Sequence, residues 1–196
     1  MSLVRIQFRF LVQILDNFFV MKLRKIISAI VLTSMMLSTS NPAQAQRRTS
    51  QTASLGQMSC QGINRSDRYS AKNQDVPVGF EMFRAVAELN NGSWIEQENP
   101  ATVVCRLAAA GQSPKYRRLT LAFGLSDRNR LSSSSTVRLA IYKDGNLFEY
   151  KDITGGQKLL WNIDVSGTRS LAMKATCLRS PENYCPGIYF FEDILE

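Results

Sequence analysis

From Thr102 onward, apolar and polar residues alternate in short runs separated by turn residues, the period-two pattern of strands that bury one face. Val103, Cys105 and Leu107 share one face, and Leu119, Leu121, Phe123 and Leu125 share another. Val137, Leu139 and Ile141 alternate with Arg138, and Lys143-Asp144-Gly145-Asn146 carries the Asp-Gly signal of a two-residue hairpin turn. Residues 147 to 150 form the return strand. After Gly155-Gly156 the phase continues through Leu159, Trp161, Ile163 and Val165. A turn at Ser166-Gly167 then leads into Leu171, Met173, Ala175 and Cys177, and residues 187 to 195 form a last strand. Residues 79 to 89 (GFEMFRAVAEL) also fit a helical face through Phe80, Phe83 and Ala87, but the following Asn90-Asn91-Gly92 reads as a turn and favours a strand. Many short strands at this spacing predict an all-β sandwich. Residues 132 to 135 are a serine loop, and no internal repeat is present.

The N-terminal part has a different pattern. From Met21, Lys22, Arg24 and Lys25 precede an apolar run from Ile26 to Leu37, followed by small residues at Ala43 and Ala45. That order of basic, apolar and small residues predicts a secretory signal peptide over residues 21 to 45, cleaved after Ala45. Residues 1 to 20 then read as an upstream extension ahead of the true start, and membrane contact is confined to export. The rival, one long anchor, would have to bury the three basic residues between two apolar pieces, which is costly. Residues 46 to 58 are small and polar without period and read as a flexible lead-in, leaving 59 to 196 as the sandwich domain. The expected location is secreted or periplasmic.

Charge changes meaning once the leader is set apart. The chain holds 24 Lys+Arg against 16 Asp+Glu. Residues 1 to 45 contain five of the basic residues and one acidic residue, leaving 19 against 15 in the remainder. Those that remain are scattered, the longest groups being Arg47-Arg48 and Arg117-Arg118. No phosphate-tracking stripe results, so nucleic acid is not an expected partner.

Export also gives the four cysteines meaning. Cys60, Cys105, Cys177 and Cys185 can pair in three ways. The favoured pairing is Cys60 with Cys105 and Cys177 with Cys185, the second enclosing LRSPENY and its Ser-Pro-Glu-Asn turn signal. Loop-entropy arithmetic gives about 2.6 kcal/mol for the short loop and about 4 kcal/mol for the long one. Redox or zinc use is disfavoured, because no CxxC spacing is present. The chain has no histidine. That excludes Ser-His-Asp and Cys-His nucleophiles and any histidine-ligated metal or haem. No cofactor or metal is called for.

Candidate binding residues are exposed aromatic rings near loops, which offer a flat apolar face beside planar polar groups. Trp94, in the turn-rich NNGSWIEQENP, is the first choice, and Tyr184, inside the Cys177 to Cys185 loop, the second. Trp161 is in phase with Ile163 and Val165 and is expected in the core. A glycosidase needs two carboxylates at a set separation. Glu96, Glu98, Asp127, Asp144, Glu192 and Asp193 are available, but spacing singles out no pair, so no catalytic residue is assigned. Asn64-Arg65-Ser66 and Asn91-Gly92-Ser93 match the glycosylation sequon, which matters only in a eukaryotic secretory route.

The order FGLSD (123 to 127), a serine-rich loop, STVRLAIYKDGNLFEY (135 to 150), NIDVSGTRSLAMKA (162 to 175) and a closing aromatic-acidic segment resembles the NPCBM family of carbohydrate-binding modules. The resemblance spans residues 101 to 196 and implies a jelly-roll, galactose-binding-like β-sandwich with a glycan as partner. Where that family carries a histidine- and tryptophan-bearing loop, this chain has PENYCPGIYFFED, with Tyr189, Phe190 and Asp193 as nearest matches. The resemblance thus adds Tyr189 and Asp193 to Trp94 and Tyr184 as ligand-binding candidates. The expected function is a secreted, non-catalytic module for cell-wall or extracellular glycan. The alternative is an envelope structural or protein-interaction domain that binds no sugar.

Overall fold

In the computed structural model, residues 52–196 are described. The upstream extension, the signal peptide and the first part of the lead-in lie outside the described residues. The strands are β1 (Ala53–Ser54), β2 (Ser59–Gly62), β3 (Asp67–Val78), β4 (Glu81–Glu96), β5 (Ala101–Arg106), β6 (Arg118–Leu125), β7 (Thr136–Lys143), β8 (Asn146–Thr154), β9 (Lys158–Asp164), β10 (Ser170–Arg179) and β11 (Tyr184–Leu195). Short 3-10 turns occupy Leu55–Gln57 and Ser132–Ser134.

The strands form two antiparallel sheets. One runs β3-β4-β11-β6-β9, with β1 added against the end of β11; the other runs β2-β5-β10-β7-β8. β5, β9 and β10 bury alternate residues, as the period-two pattern requires, while β6 and β7 bury their inner face and part of the outer one. Leu119, Leu121, Phe123 and Leu125 meet Val137, Leu139, Ile141, Leu171 and Met173 between the sheets. Full burial of each such side chain stabilises by about 1.5–3 kcal/mol. Trp161 belongs to this core, as its phase predicts. The fold is an all-β, galactose-binding-like sandwich.

The β7–β8 connection is the expected tight hairpin: Asp144 and Gly145 take φ of 48° and 85°, the left-handed pair that a type I′ turn requires. Gly145 has open space around its Cβ position, so backbone conformation alone selects glycine there.

Both disulfides form in the favoured pairing. Cys60 and Cys105 stand directly opposite on β2 and β5. Cys177 and Cys185 lie on β10 and β11, strands of different sheets, so the turn between them closes the sandwich rather than a hairpin within one sheet.

Two expectations need correction. The lead-in was expected to stay flexible to residue 58, but Ala53 and Ser54 pair with Leu195 and Ile194, and Leu55 is fully buried in the core. Leu55 in the core, the pairing of β1 with β11 and the hydrogen bonds of Ser54 and Gly56 to Asp193 together hold residues 53 to 58 in place. Asn90-Asn91-Gly92 does not end the strand after residue 89. These residues form a bulge inside β4, which continues to Glu96 and carries Trp94 on a strand rather than a turn.

Candidate functional site

The strand ladder is broken at several points on the outer face of the six-stranded sheet. Between β3 and β4, Lys72 and Asn73 stand opposite the single Val86. Between β4 and β11, residues 90 to 93 stand opposite the single Gly187. Bulges of this kind bend a strand and re-aim its side chains, and they concentrate at functional sites. Here they surround a cleft of about 250 Å³ whose lining includes Gln74, Glu88, Arg128, Asn129, Pro186 and Tyr189.

Glu88 lines the cleft. It pairs across the ladder with Tyr189 on one side and Ser70 on the other, so it points away from the core. It is nevertheless only 6% exposed. Gly187 explains the burial: a Cβ there would lie 2.7 Å from Glu88 Oε1, so only glycine leaves room for the carboxylate against β11. A buried carboxylate needs a partner, and the first bulge supplies it, bringing Lys72 Nζ to 2.9 Å from Oε2. The hydrogen bond from the ammonium to Glu88 raises the Lys72 pKa above its ordinary value.

Tyr189 forms the aromatic wall. Its ring is half-buried against the small outer cluster of Val76, Val78, Ala85, Phe83 and Phe191. Burial raises its phenol pKa, and Glu88 adds to this, while Lys72, Arg128 and a hydrogen bond with Gln74 oppose it. The phenol therefore stays protonated as a donor at neutral pH. The cleft thus combines one flat ring, one buried carboxylate, a guanidinium and two side-chain amides.

Of the four sequence-predicted residues, Tyr189 alone lines this cleft. Trp94 and Tyr184 pack edge to face, with ring centroids 4.9 Å apart. They stand at the cleft's margin, where Ser93 and Pro186, the chain neighbour and cross-strand partner of Trp94, contribute to its lining. Trp94 is 38% exposed. Tyr184 is tied down by a hydrogen bond to Glu182, which Arg130 holds in turn at 2.7 Å. Asp193 is elsewhere and 3% exposed. Its Oδ2 accepts hydrogen bonds from Ser54 Oγ at 2.9 Å, Gly56 N at 3.0 Å and Tyr69 Oη at 2.9 Å. That carboxylate fastens the lead-in to β11 and has no face toward a ligand.

Glu88, Gln74, Lys72, Arg128 and Asn129 carried no sequence signal. In GFEMFRAVAEL, Glu88 is one more polar residue in the outward phase, and only the bulges reveal its burial. Among the described residues, no group of three or more His, Cys, Asp or Glu is placed to hold a metal ion.

No family model matches the chain, and no curated protein does. Solved structures do resemble it. The CBM51 module of Clostridium perfringens GH95, solved in complex with methyl-galactose, aligns at 11% identity over 74% of this chain and 99% of its own, with a TM-score of 0.51. The tandem CBM51 modules of the family 98 glycoside hydrolase from Streptococcus pneumoniae align at 10% identity, TM-score 0.54, over 74% of this chain and 46% of theirs. The M60 catalytic domain with two CBM51 domains of Clostridium perfringens ZmpB aligns at 12% identity, TM-score 0.52, over 74% of this chain and 15% of its own. At these identities the likeness establishes the fold: this sandwich is built like those modules.

Proposed function

We propose that this protein is an exported, non-catalytic glycan-binding module that holds a single sugar ring in the Glu88–Tyr189 cleft. The observation that carries the proposal is a buried carboxylate facing outward beside an aromatic ring, at a place where the sheet is deformed to make room for it. Carboxylates and amides recognise vicinal hydroxyls, and a tyrosine ring covers the apolar face of a pyranose. The volume of about 250 Å³ falls below the roughly 300–1,000 Å³ of drug-sized pockets, which suits one ring rather than a chain. Trp94, at the margin, would contact the next residue of a longer glycan.

The first of the structural neighbours was solved with methyl-galactose, which supports a sugar as the ligand class. The cleft is lined by one carboxylate, whereas glycoside hydrolysis uses two, which supports binding without turnover. The leader read in residues 21 to 45 supports export, and two disulfides fit an oxidising compartment.

A glycan array probed with the purified protein and with Glu88→Gln tests the proposal. The expected result is binding to glycans sharing one terminal sugar, weakened about tenfold or more in the variant through loss of a charge-assisted hydrogen bond. An array without any ligand for the folded protein, together with capture of an envelope protein, would leave the protein-interaction alternative standing instead.

A further inference from the structure

The outer face of the five-stranded sheet presents a second surface with different chemistry. Leu139, Ile141, Leu171, Met173, Val103 and Cys105 point into the core, so the residues between them point out. Register carries one row across all five strands: Leu147 opposite Tyr142, Tyr142 opposite Ala172, Ala172 opposite Val104, and Val104 opposite Gln61. At the usual strand spacing this row is about 19 Å long. A groove lies at each end. One, of about 250 Å³, includes Tyr142, Leu147, Tyr150, Lys174 and Leu178 in its lining. The other, of about 460 Å³, includes Ser59, Gln61, Val104, Arg106, Arg169 and Ser170. Between them the row has only the small Ala172 to cross, and the next row has Ala140 between Tyr150 and Lys174.

Charge on this face is one-sided. Neither groove has a carboxylate in its lining. The nearby acids are already engaged: Asp152 by Arg138 at 2.7 and 2.9 Å, and Asp144 by the backbone N–H groups of Arg169 and Ser170. Arg138 in turn stacks over the Tyr150 ring at 3.9 Å, holding that ring in place. The guanidinium of Arg169 donates to the Ala109 carbonyl at 3.1 Å, fixing its position while leaving its remaining donors.

We infer that this face is a second binding surface, for an acidic polysaccharide, whose uronate carboxylates would meet Arg106, Arg169 and Lys174 and whose ring faces would lie on Tyr142 and Tyr150. Guanidinium groups pair with carboxylates in a bidentate fork, and Ser59 and Gln61 offer neutral partners for hydroxyls. Three cations over about 19 Å are sparser than nucleic-acid phosphates, which recur every 3.4 Å along a strand. The surface lies on the opposite sheet from the Glu88 cleft and does not depend on it.

Affinity electrophoresis of the full protein in gels containing polygalacturonate tests the inference. Carboxyl-reduced polygalacturonate is the neutral control, and a single-stranded oligonucleotide and dextran sulfate are the competitors. Retardation is expected in polygalacturonate and not in the reduced polymer. The double variant Arg106→Ser with Lys174→Ser should bind about tenfold or more weakly, and Glu88→Gln should bind as the parent does, which separates this face from the cleft. Equal retardation by the reduced polymer, unchanged binding of the double variant, or equal or stronger binding of the oligonucleotide or dextran sulfate would each overturn it. Both substituted side chains are exposed or half-exposed and without internal partners, and a melting curve matching the parent's shows that the loss is one of binding.

Discussion

The Asp193 carboxylate shows how one side chain can look functional in a sequence and serve the fold in the structure. It accepts three hydrogen bonds on one oxygen, the deepest from Tyr69, whose ring packs edge to face on Phe190. Burial raises the Tyr69 phenol well above its ordinary value of 10.0, with the neighbouring Asp193 charge and the hydrogen bond adding to it. The linkage sign follows. Stability from this group is complete below the unfolded value of 10.0 and is lost as pH rises toward the higher folded value, because the unfolded chain releases its proton first. Tyr69→Phe should therefore flatten the fall of melting temperature above that pH and cost about 1 kcal/mol below it. Thermal melts of parent and variant across the alkaline range check both, and an identical alkaline slope in the two would refute the assignment.

At the scale of elements, regular strands were legible and irregular ones were not. The inner phases of β5, β6, β7, β9 and β10 could be read directly, because one face of each is buried without interruption. β3 gave no such pattern: most of its residues are exposed or half-exposed and a bulge breaks its phase after Ala71. Asn-Asn-Gly is ordinary turn chemistry and predicts an end to β4 after residue 89, yet here it is spent on a bulge. The cleft was illegible for the same reason, since what buries Glu88 is an extra residue in one strand and a missing side chain in another. Gly187→Ala tests that dependence. A methyl 2.7 Å from the carboxylate should force Glu88 out of place, at a cost of about 1–3 kcal/mol for overpacking. Sugar binding should be lost while denaturant melts still show a cooperative fold; full retention of binding would place the ligand elsewhere.

At the scale of the whole molecule, the two disulfides act at different levels. Cys60–Cys105 fastens β2 to its neighbour within one sheet, and Cys177–Cys185 joins the two sheets. Loop entropy assigns the larger effect to the 45-residue separation, about 4 kcal/mol, and about 2.6 kcal/mol to the 8-residue one. Equilibrium unfolding of the Cys60→Ala/Cys105→Ala and Cys177→Ala/Cys185→Ala variants should rank them in that order. The reverse ranking would mean that holding the sheets together matters more than loop length. The sandwich places the Glu88 cleft on one outer face and the arginine-lined groove on the other, so each can be altered without touching its counterpart.

The most direct test of glycan binding is chemical-shift mapping of the protein titrated with methyl galactoside and with the strongest ligand from the array. Saturable shifts are expected at Gln74, Glu88, Asn129 and Tyr189, with weaker ones at Trp94, and in Glu88→Gln the same shifts should need about tenfold or more ligand. Shifts confined to other surfaces, or none with any sugar, would contradict it.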